Sequence, residues 1–513
     1  MVRFLNAYTI SAFAALGGLL LGFDISSMSG IIATEQYKRY FGNPLGMRQG
    51  SITSSMAGGS VFGALSSSFL GDRFSRKVAI QFGAALWCVG VTVQSTSSGV
   101  AMLIVGRIIS GLGVGISSTL VPIYQSEIAP RRFRGRIVAF QQFAITCGIM
   151  ILYLIEYGFS FLDSEAVFRG PWAIQAVPAV VLFVSLFWFP HSPRWLASKD
   201  KWDDVLNVLA FLRSPDINVS DPHVLAEYKE IEDQIRYERE ETSNSFRELF
   251  SRKIRKRVFL SIAIEVWGQL SGMNILMYYI IYILSSANIP YSRRASAILY
   301  VINVVMTIPS ILWTDRWGRR PTLLVGAVVM SFWLFIIGGL LMRYGEQNPL
   351  ADQPYTWIVV GHPIASRSIL ACTYLAVATF AMSWGPVSWI YPPEIVPLRI
   401  RAKSVSLATA GNWATNFALG LSVPSLLRSI RWRLFFAFAS FNIGAFIHVL
   451  IGAPETKRRT LEELDEIFEY GESLWKSFYG RPESNKLDLL ARDIEIGVLT
   501  IKPPSPVADR GAL

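Results

Sequence analysis

Twelve apolar blocks of about 20 residues or more run through this chain, and they decide what it can fold into. They are Ala7–Met28, Ile52–Gly71, Val78–Ser97, Val100–Tyr124, Ile137–Gly158, Pro171–Pro190, Val258–Ser285, Ala295–Thr314, Pro321–Met342, Ser368–Tyr391, Val405–Pro424 and Leu434–Ala453. As an α-helix, such a block crosses the roughly 30 Å hydrocarbon core of a bilayer. Lipid offers the backbone no hydrogen-bond partner, so only helices and closed barrels span it. Barrel strands are about half as long and alternate polar with apolar residues. The sequence therefore predicts an all-α membrane protein with twelve transmembrane helices. The first block is no cleavable signal, being too long and carrying Asp24 where a small residue would be needed. Cys88, Cys147 and Cys372 lie inside blocks, so no extracellular disulfide framework is on offer. His191, His223, His362 and His448 lack metal-ligand spacing, so no metal site is expected. A Walker loop is absent, which disfavours an ATP-driven pump, and no nucleophile–base constellation suggests an enzyme.

One long polar break, His191–Arg257, divides the blocks six and six. The expected units are residues 1–190, a linker at 191–257, residues 258–453 and a tail at 454–513. Lys and Arg decide orientation. The four short loops on the side of the termini carry 13 of them and the opposite loops 11. Arg252, Lys253, Arg255, Lys256 and Arg257, with Lys457, Arg458 and Arg459, break the near-tie. Termini and linker are therefore expected in the cytoplasm of a multi-pass plasma-membrane protein. The net charge of +11 is ascribed to this topology and not to nucleic acid. The sequon Asn218-Val219-Ser220 is then cytosolic and unmodified.

The two halves repeat each other. Gly71-Asp72-Arg73-Phe74-Ser75-Arg76-Lys77 follows span two, and Asp315-Arg316-Trp317-Gly318-Arg319-Arg320 follows span eight. Glu127 precedes Arg134 by seven residues after span four, and Glu394 precedes Arg401 by seven after span ten. This is a duplicated six-helix unit, as in secondary transporters with a midplane site between halves. Asp72, Arg73, Glu127 and Arg134, and Asp315, Arg316, Glu394 and Arg401, are the expected ion networks that latch the halves in one state.

Further motifs are Gly106-Arg107, Pro122-x-Tyr124-x-x-Glu127, Pro190-x-Ser-Pro-Arg-Trp195, Gln269-Leu-Ser-Gly-Met-Asn274 and Pro454-Glu-Thr-Lys457. With these the chain resembles the sugar-porter branch of the major facilitator superfamily over nearly its whole length. GFDISSMSG, MLIVGRIISG, MNILMYY and TLEELDEI bring it nearer to the fungal high-affinity glucose and monosaccharide permeases. The resemblance implies uptake of a monosaccharide, a glucose-like hexose or xylose, by proton symport and alternating access. The partners implied are the sugar, protons and membrane lipid, with no cofactor beyond the proton as coupling ion. A facilitative uniporter and a non-transporting sensor are the alternatives. Asp24 argues against the first, and a tail of about 60 residues, short for a sensor, against the second.

Only four charges, Asp24, Arg107, Glu156 and Glu265, lie within the twelve blocks, and intramembrane charges are functional candidates by default. Counting at 1.5 Å per residue puts Asp24 and Arg107 at similar depth, roughly 6–10 Å below the outer surface. The resemblance makes them the proton switch; the residues alone equally allow a permanent salt bridge. Glu156, two residues from the end of span five, either competes for Arg107 or sits solvated at the outer interface, and the interface is favoured. Glu265 shares a helix face with Gln269, four residues on, and is open between a structural and a functional role.

A sugar hydroxyl both donates and accepts, so a sugar site needs amides, plus an aromatic face for the ring. The spans supply Gln142 with Thr146, Gln269 with Asn274, Asn303, Trp384 and Trp389, and Asn412, Trp413 and Asn416. Buried amides also simply join helices. The resemblance marks Gln142, Gln269, Asn274, Asn303, Trp389 and Asn412 as sugar ligands. Two departures stand out: Gly268 where the family has a first glutamine, and His191 where it has a glutamate. The first weakens the case for glucose itself, the second the ion latch of the first half. Gly17, Gly18, Gly22, Gly111, Gly113 and Gly115 permit close helix approach, and Gly272 and Gly385-Pro386 offer hinges.

Overall fold

All twelve apolar blocks are helical. The computed structural model describes residues 7–129, 134–213, 219–240, 249–251, 254–347, 355–397, 400–457 and 468. The first half comprises Ala7–Ala14 with Leu16–Ser26, then Gly46–Phe74, Arg76–Ser95, Val100–Ile128, Arg134–Phe159, and Ala166–Ile174 with Ala176–Ser185. The second comprises Arg255–Leu270 with Met273–Tyr278 and Ile280–Ser286, then Ser292–Trp317, Arg319–Tyr344, Pro363–Met382 with Trp384–Ile395, Arg401–Ser429 and Arg433–Gly452. These are spans one to twelve. Three shorter helices between the halves, Pro193–Ser198, Trp202–Arg213 and Pro222–Glu240, share a small core of their own around Leu196, Leu206, Leu209 and Tyr228. At the opposite end of the bundle, Gly345–Gln347 pairs antiparallel with Trp357–Val359. The sequence analysis read no strand there.

Breaks in the spans have local causes. Pro386 has no N–H, and its ring clashes with the carbonyl four residues back, at Met382, where the first piece of span ten stops. Pro178 stands in the same relation to Ile174, the last residue of the first piece of span six. Gly272 at φ +83° divides span seven; a Cβ there would lie 2.6 Å from the Phe438 ring.

Among the described residues, ten helices are long and apolar enough to cross a membrane by composition. Spans two and eleven are long enough, at 29 residues each, but richer in small polar residues. The packing explains this, because the two lie against each other across the seam between the halves. A Cβ on Gly50 would strike the Leu421 carbonyl, one on Gly58 would press on Phe417, and Ser406 Oγ donates to the Ala64 carbonyl at 2.5 Å. Trp413 Nε1 crosses the same seam to Ser118 Oγ at 3.2 Å. At the end away from the termini the halves are joined again. Tyr282 Oη donates to Ile32 O at 3.3 Å, Tyr153 Oη to Arg293 O at 3.0 Å, and Arg294 Nε to Tyr157 Oη at 3.3 Å.

Span four organises the first half through glycines on two faces. Gly111 and Gly115 abut the backbone of span two at Met56 and Ser60. Gly106 and Gly113 abut span three at Gln94 and Gly83. In lipid, helix association rests on this kind of close van der Waals contact. Gly115→Ala would drive a methyl into the Ser60 carbonyl, whereas Gly158→Ala meets nothing within 4 Å. Overpacking costs about 1–3 kcal/mol. Thermal unfolding followed by size-exclusion chromatography in detergent is expected to show a lower midpoint for Gly115→Ala and an unchanged one for Gly158→Ala.

Candidate functional site

A cavity opens at the centre of the bundle, walled by spans one, five, seven, eight, ten and eleven. Gln142, Gln269, Asn274, Asn303, Trp389 and Asn412 all line it, together with Asn416 and Trp413. Leu21, Ile25, Ile145 and Met277 supply apolar wall. Trp384 does not: its Nε1 donates to Leu323 O at 3.0 Å and the ring packs within the second half. Thr146 is likewise turned to its own helix, donating to Phe143 O at 2.9 Å.

The amides of spans seven and eleven form one network. Gln269 Nε2 donates to Asn412 Oδ1, and Gln269 Oε1 accepts from both Asn274 Nδ2 and Asn416 Nδ2, each at 3.0 Å. In an unbroken helix, residues five apart point well away from each other. The break at Gly272 is what brings Asn274 back to Gln269. Asn412 Nδ2 donates in turn to Glu265 Oε2 at 2.6 Å. Asn303 presents a different feature: its Oδ1 is buried without a partner among the described residues. A buried acceptor of this kind, on a cavity wall, is what a ligand hydroxyl satisfies. Gly268 also lines the cavity, and a Cβ there would touch only Ser388, at 3.7 Å.

Asp24 and Arg107 are paired in full burial, with Nη2 3.1 Å from Oδ1. Arg107 also donates to Ser27 Oγ at 3.1 Å and to Thr53 O at 3.2 Å. Tyr278 Oη, from the other half, donates to Asp24 Oδ2 at 3.5 Å. Span one thus has Leu21 and Ile25 on the cavity and Asp24 on span four. Glu156 differs from expectation. It is not solvated but 3% exposed, and Oε2 accepts the Gly30 N–H at 3.0 Å. The chain after span one folds over it, which helix counting could not reveal.

Ion networks do form at the end that carries the termini, but with different cations. In the first half Arg76 pairs with Asp72 at 3.0 Å and with Glu127 at 3.3 Å, while Arg73 is exposed and lies over the Phe74 ring. In the second half Arg319 pairs with Glu394 at 2.8 Å, while Arg316 is exposed. The reason is the turn. Ser75 at φ +90° and Gly318 at φ +94° swing the chain just before Arg76 and Arg319, turning those two inward. Arg401 opens span eleven. The side chains of Arg134 and Asp315 lie outside the described residues.

Sequence reasoning missed Glu455. Its carboxylate accepts the N–H groups of Arg319 at 3.0 Å and Arg320 at 3.1 Å, capping span nine. The signal was the repeat itself, since Pro454-Glu455 stands where Pro190-His191 stands in the first half. There His191 Nδ1 meets Ser75 Oγ at 2.8 Å and, among the described residues, no carboxylate caps span three, yet the Arg76 network forms regardless. Burial first, then the Lys77 and Lys201 ammonium groups, hold the His191 imidazole below its ordinary pKa.

The family model described as Sugar (and other) transporter matches residues 10–468. The MFS glucose transporter mfs1 of Aspergillus flavus is 46% identical, over 98% of this chain and 97% of its own. The high-affinity glucose transporter of Kluyveromyces lactis is 40% identical, over 94% and 90%. The high glucose sensor RGT2 of Saccharomyces cerevisiae is 31% identical over 90% of this chain, which spans 60% of the sensor. Among solved structures, the proton:xylose symporter XylE bound to 6-bromo-6-deoxy-D-glucose superposes with a TM-score of 0.76, covering 91% of this chain and 100% of that one at 24% identity.

The unequal corners generate a prediction. A depressed imidazole pKa favours the neutral form in the folded state, so its contribution is present above about pH 6.5 and is lost as pH falls through the depressed value. His191→Glu places an anion at the start of span three, a site worth about 0.3–2 kcal/mol. The variant is expected to unfold at higher temperature than wild type at pH 7, with Glu455→Ala lower, as read by thermal shift in detergent.

Proposed function

We propose that this chain, which belongs to the family of sugar (and other) transporters, moves a monosaccharide into the cell by proton symport with alternating access. The observation that carries the reading is the pairing of two features within one turn of span one. Six amides and two tryptophans line a central cavity, and a fully buried Asp24–Arg107 pair stands beside it, Asp24 following Leu21 by three residues and preceding Ile25 on the wall helix. Hydroxyl-bearing ligands need groups that both donate and accept, which Gln and Asn provide, and Trp389 offers a face for sugar C–H groups. The glucose and xylose transporters among its relatives point to a glucose-like hexose or xylose as substrate. Gly268 leaves space where a further amide would stand, consistent with a range of monosaccharides wider than glucose.

In this reading the membrane is the plasma membrane, the termini are cytoplasmic, and the end closed by Tyr282, Tyr153 and Arg294 faces outward. Opening that end breaks those bonds and the contact of Tyr278 with Asp24. Protonation of Asp24 removes the charge that Arg107 holds and weakens the tie between spans one and four. Neutral Asp24 then permits closure around the sugar; on the cytoplasmic side the proton leaves and Arg107 recaptures the carboxylate. The coupling ion is the proton, and no other cofactor is invoked.

Two measurements test this. Gln269→Ala and Asn303→Ala each remove a bond worth about 0.5–1.5 kcal/mol, so the sugar constant is expected to rise roughly twofold to tenfold at unchanged surface expression. Wild-type affinity in both variants overturns the ligand assignment. Asp24→Asn is expected to abolish uphill accumulation and sugar-induced proton uptake while sugar exchange persists. Uptake that only equilibrates and is insensitive to protonophore in the wild type identifies a uniporter, and binding with no transport identifies a sensor.

A further inference from the structure

Glu265 is 2% exposed, and among the described residues its bonded side chain is Asn412. No cation is paired with it there. The elements packed on its helix are the second piece of span ten, spans eleven and twelve, and the short helix Met273–Tyr278. Their ionisable groups are Tyr391 and Glu394, Arg401, Lys403 and Arg428, Arg433 and His448, and Tyr278; its own helix adds Arg255, Lys256 and Arg257. Glu394 is taken by Arg319, His448 by Trp267, and Tyr278 by Asp24. What Glu265 does touch is the end of the amide network that walls the cavity.

The direction of that network follows from the carboxylate. An ionised carboxyl only accepts, so Asn412 must turn its Nδ2 toward Glu265. Asn412 Oδ1 is then left to accept from Gln269 Nε2. Gln269 Oε1 is in turn left to accept from Asn274 and Asn416. Every donor in the chain points toward Glu265. A neutral carboxyl also donates, and donation to Asn412 Oδ1 lets each amide behind it turn over. Four of the groups that meet the ligand therefore have their donor and acceptor ends set by one side chain outside the cavity wall.

We propose that Glu265 is a specificity-determining residue: as a carboxylate it fixes the donor–acceptor order of Gln269, Asn274, Asn412 and Asn416, and its protonation releases that order. The inference rests on the monosaccharide reading of the cavity. It gives the transporter a second proton-sensitive group, distinct from Asp24, that changes which sugar hydroxyls are preferred without itself entering the ion pair.

The test is equilibrium binding of glucose, xylose and the monodeoxy- and monofluoro-glucoses to the purified full chain, between about pH 5 and about pH 9. A deoxy position neither donates nor accepts, and a fluoro position cannot donate, so the pair reports which role each hydroxyl plays. Asp24→Asn serves as background, leaving Glu265 as the titrating carboxyl on the site. There the fluoro-to-deoxy affinity ratio is expected to shift roughly threefold to tenfold with pH at one or more positions, the scale of one hydrogen bond. Adding Glu265→Gln is expected to remove the pH dependence and change the ratio. Glu265→Asp, which shortens the reach to Asn412, is expected to remove it too while keeping a carboxyl. A ratio that titrates alike with and without Glu265→Gln overturns the proposal, as does a ratio flat with pH in Asp24→Asn. Absence of binding by every sugar to wild type overturns the monosaccharide reading, and this inference with it.

Discussion

Hydrocarbon cannot hydrogen bond, so each polar group carried into the bilayer needs a partner within the protein. Nearly everything at the centre of this molecule answers to that requirement. Asp24 and Arg107 satisfy each other, Glu156 takes a backbone N–H, and Glu265 takes an amide from across the span seven–span eleven contact. The amides gather on one another around the cavity, where irregular backbone is also tolerated. The break in span seven falls between Gln269 and Asn274 and the break in span ten beside Gly385, all three on the cavity wall. These are the places where unpaired backbone groups face a polar interior and not lipid.

Close backbone contact supplies the rest of the frame. Glycines on two faces of span four hold spans two and three near enough for little but backbone to fit between. Span two turns small residues to span eleven as well, where Gly50 and Gly58 make room for Leu421 and Phe417. Among the described residues, bonds that cross the seam between the halves run from Ser406–Ala64, five residues into span eleven, through Trp413–Ser118 to the end opposite the termini. The network at the end of the termini, by contrast, is built within each half, as the Arg76 and Arg319 pairs show.

Much of this was legible in the sequence, because lipid imposes a length rule on helices that no local propensity overrides. The spans, the repeated loops and the convergence of Gln142, Gln269, Asn274, Asn303, Trp389 and Asn412 on one cavity follow from it together with the family resemblance. The depth count that placed Asp24 beside Arg107 worked because span four is one unbroken helix from Val100 through Arg107 and Asp24 stands two residues before its helix ends at Ser26. The same count misjudged Glu156, since depth along one helix says nothing of a loop from another covering it. Arg73 and Arg316 were the natural choices beside Asp72 and Asp315, but a positive φ at the next-to-following positions decides which arginine turns inward. Glycine at 318 advertises such a φ; serine at 75 conceals it.

The two halves repeat in outline but differ at one corner. Glu455 welds span nine to the chain leaving span twelve through two backbone bonds, while Thr456 and Arg319 share Glu394 beside it. At the matching corner His191 brings a ring nitrogen to one hydroxyl. Lys77 braces that corner in the glutamate's place, donating to the Phe187 and Phe189 carbonyls, so a long side chain reaches out of span three where in the second half a carboxylate reaches in to the backbone of span nine. Two frames cut to one outline are thus tied by opposite polarities, a cation given by the helix in one and an anion given to it in the other.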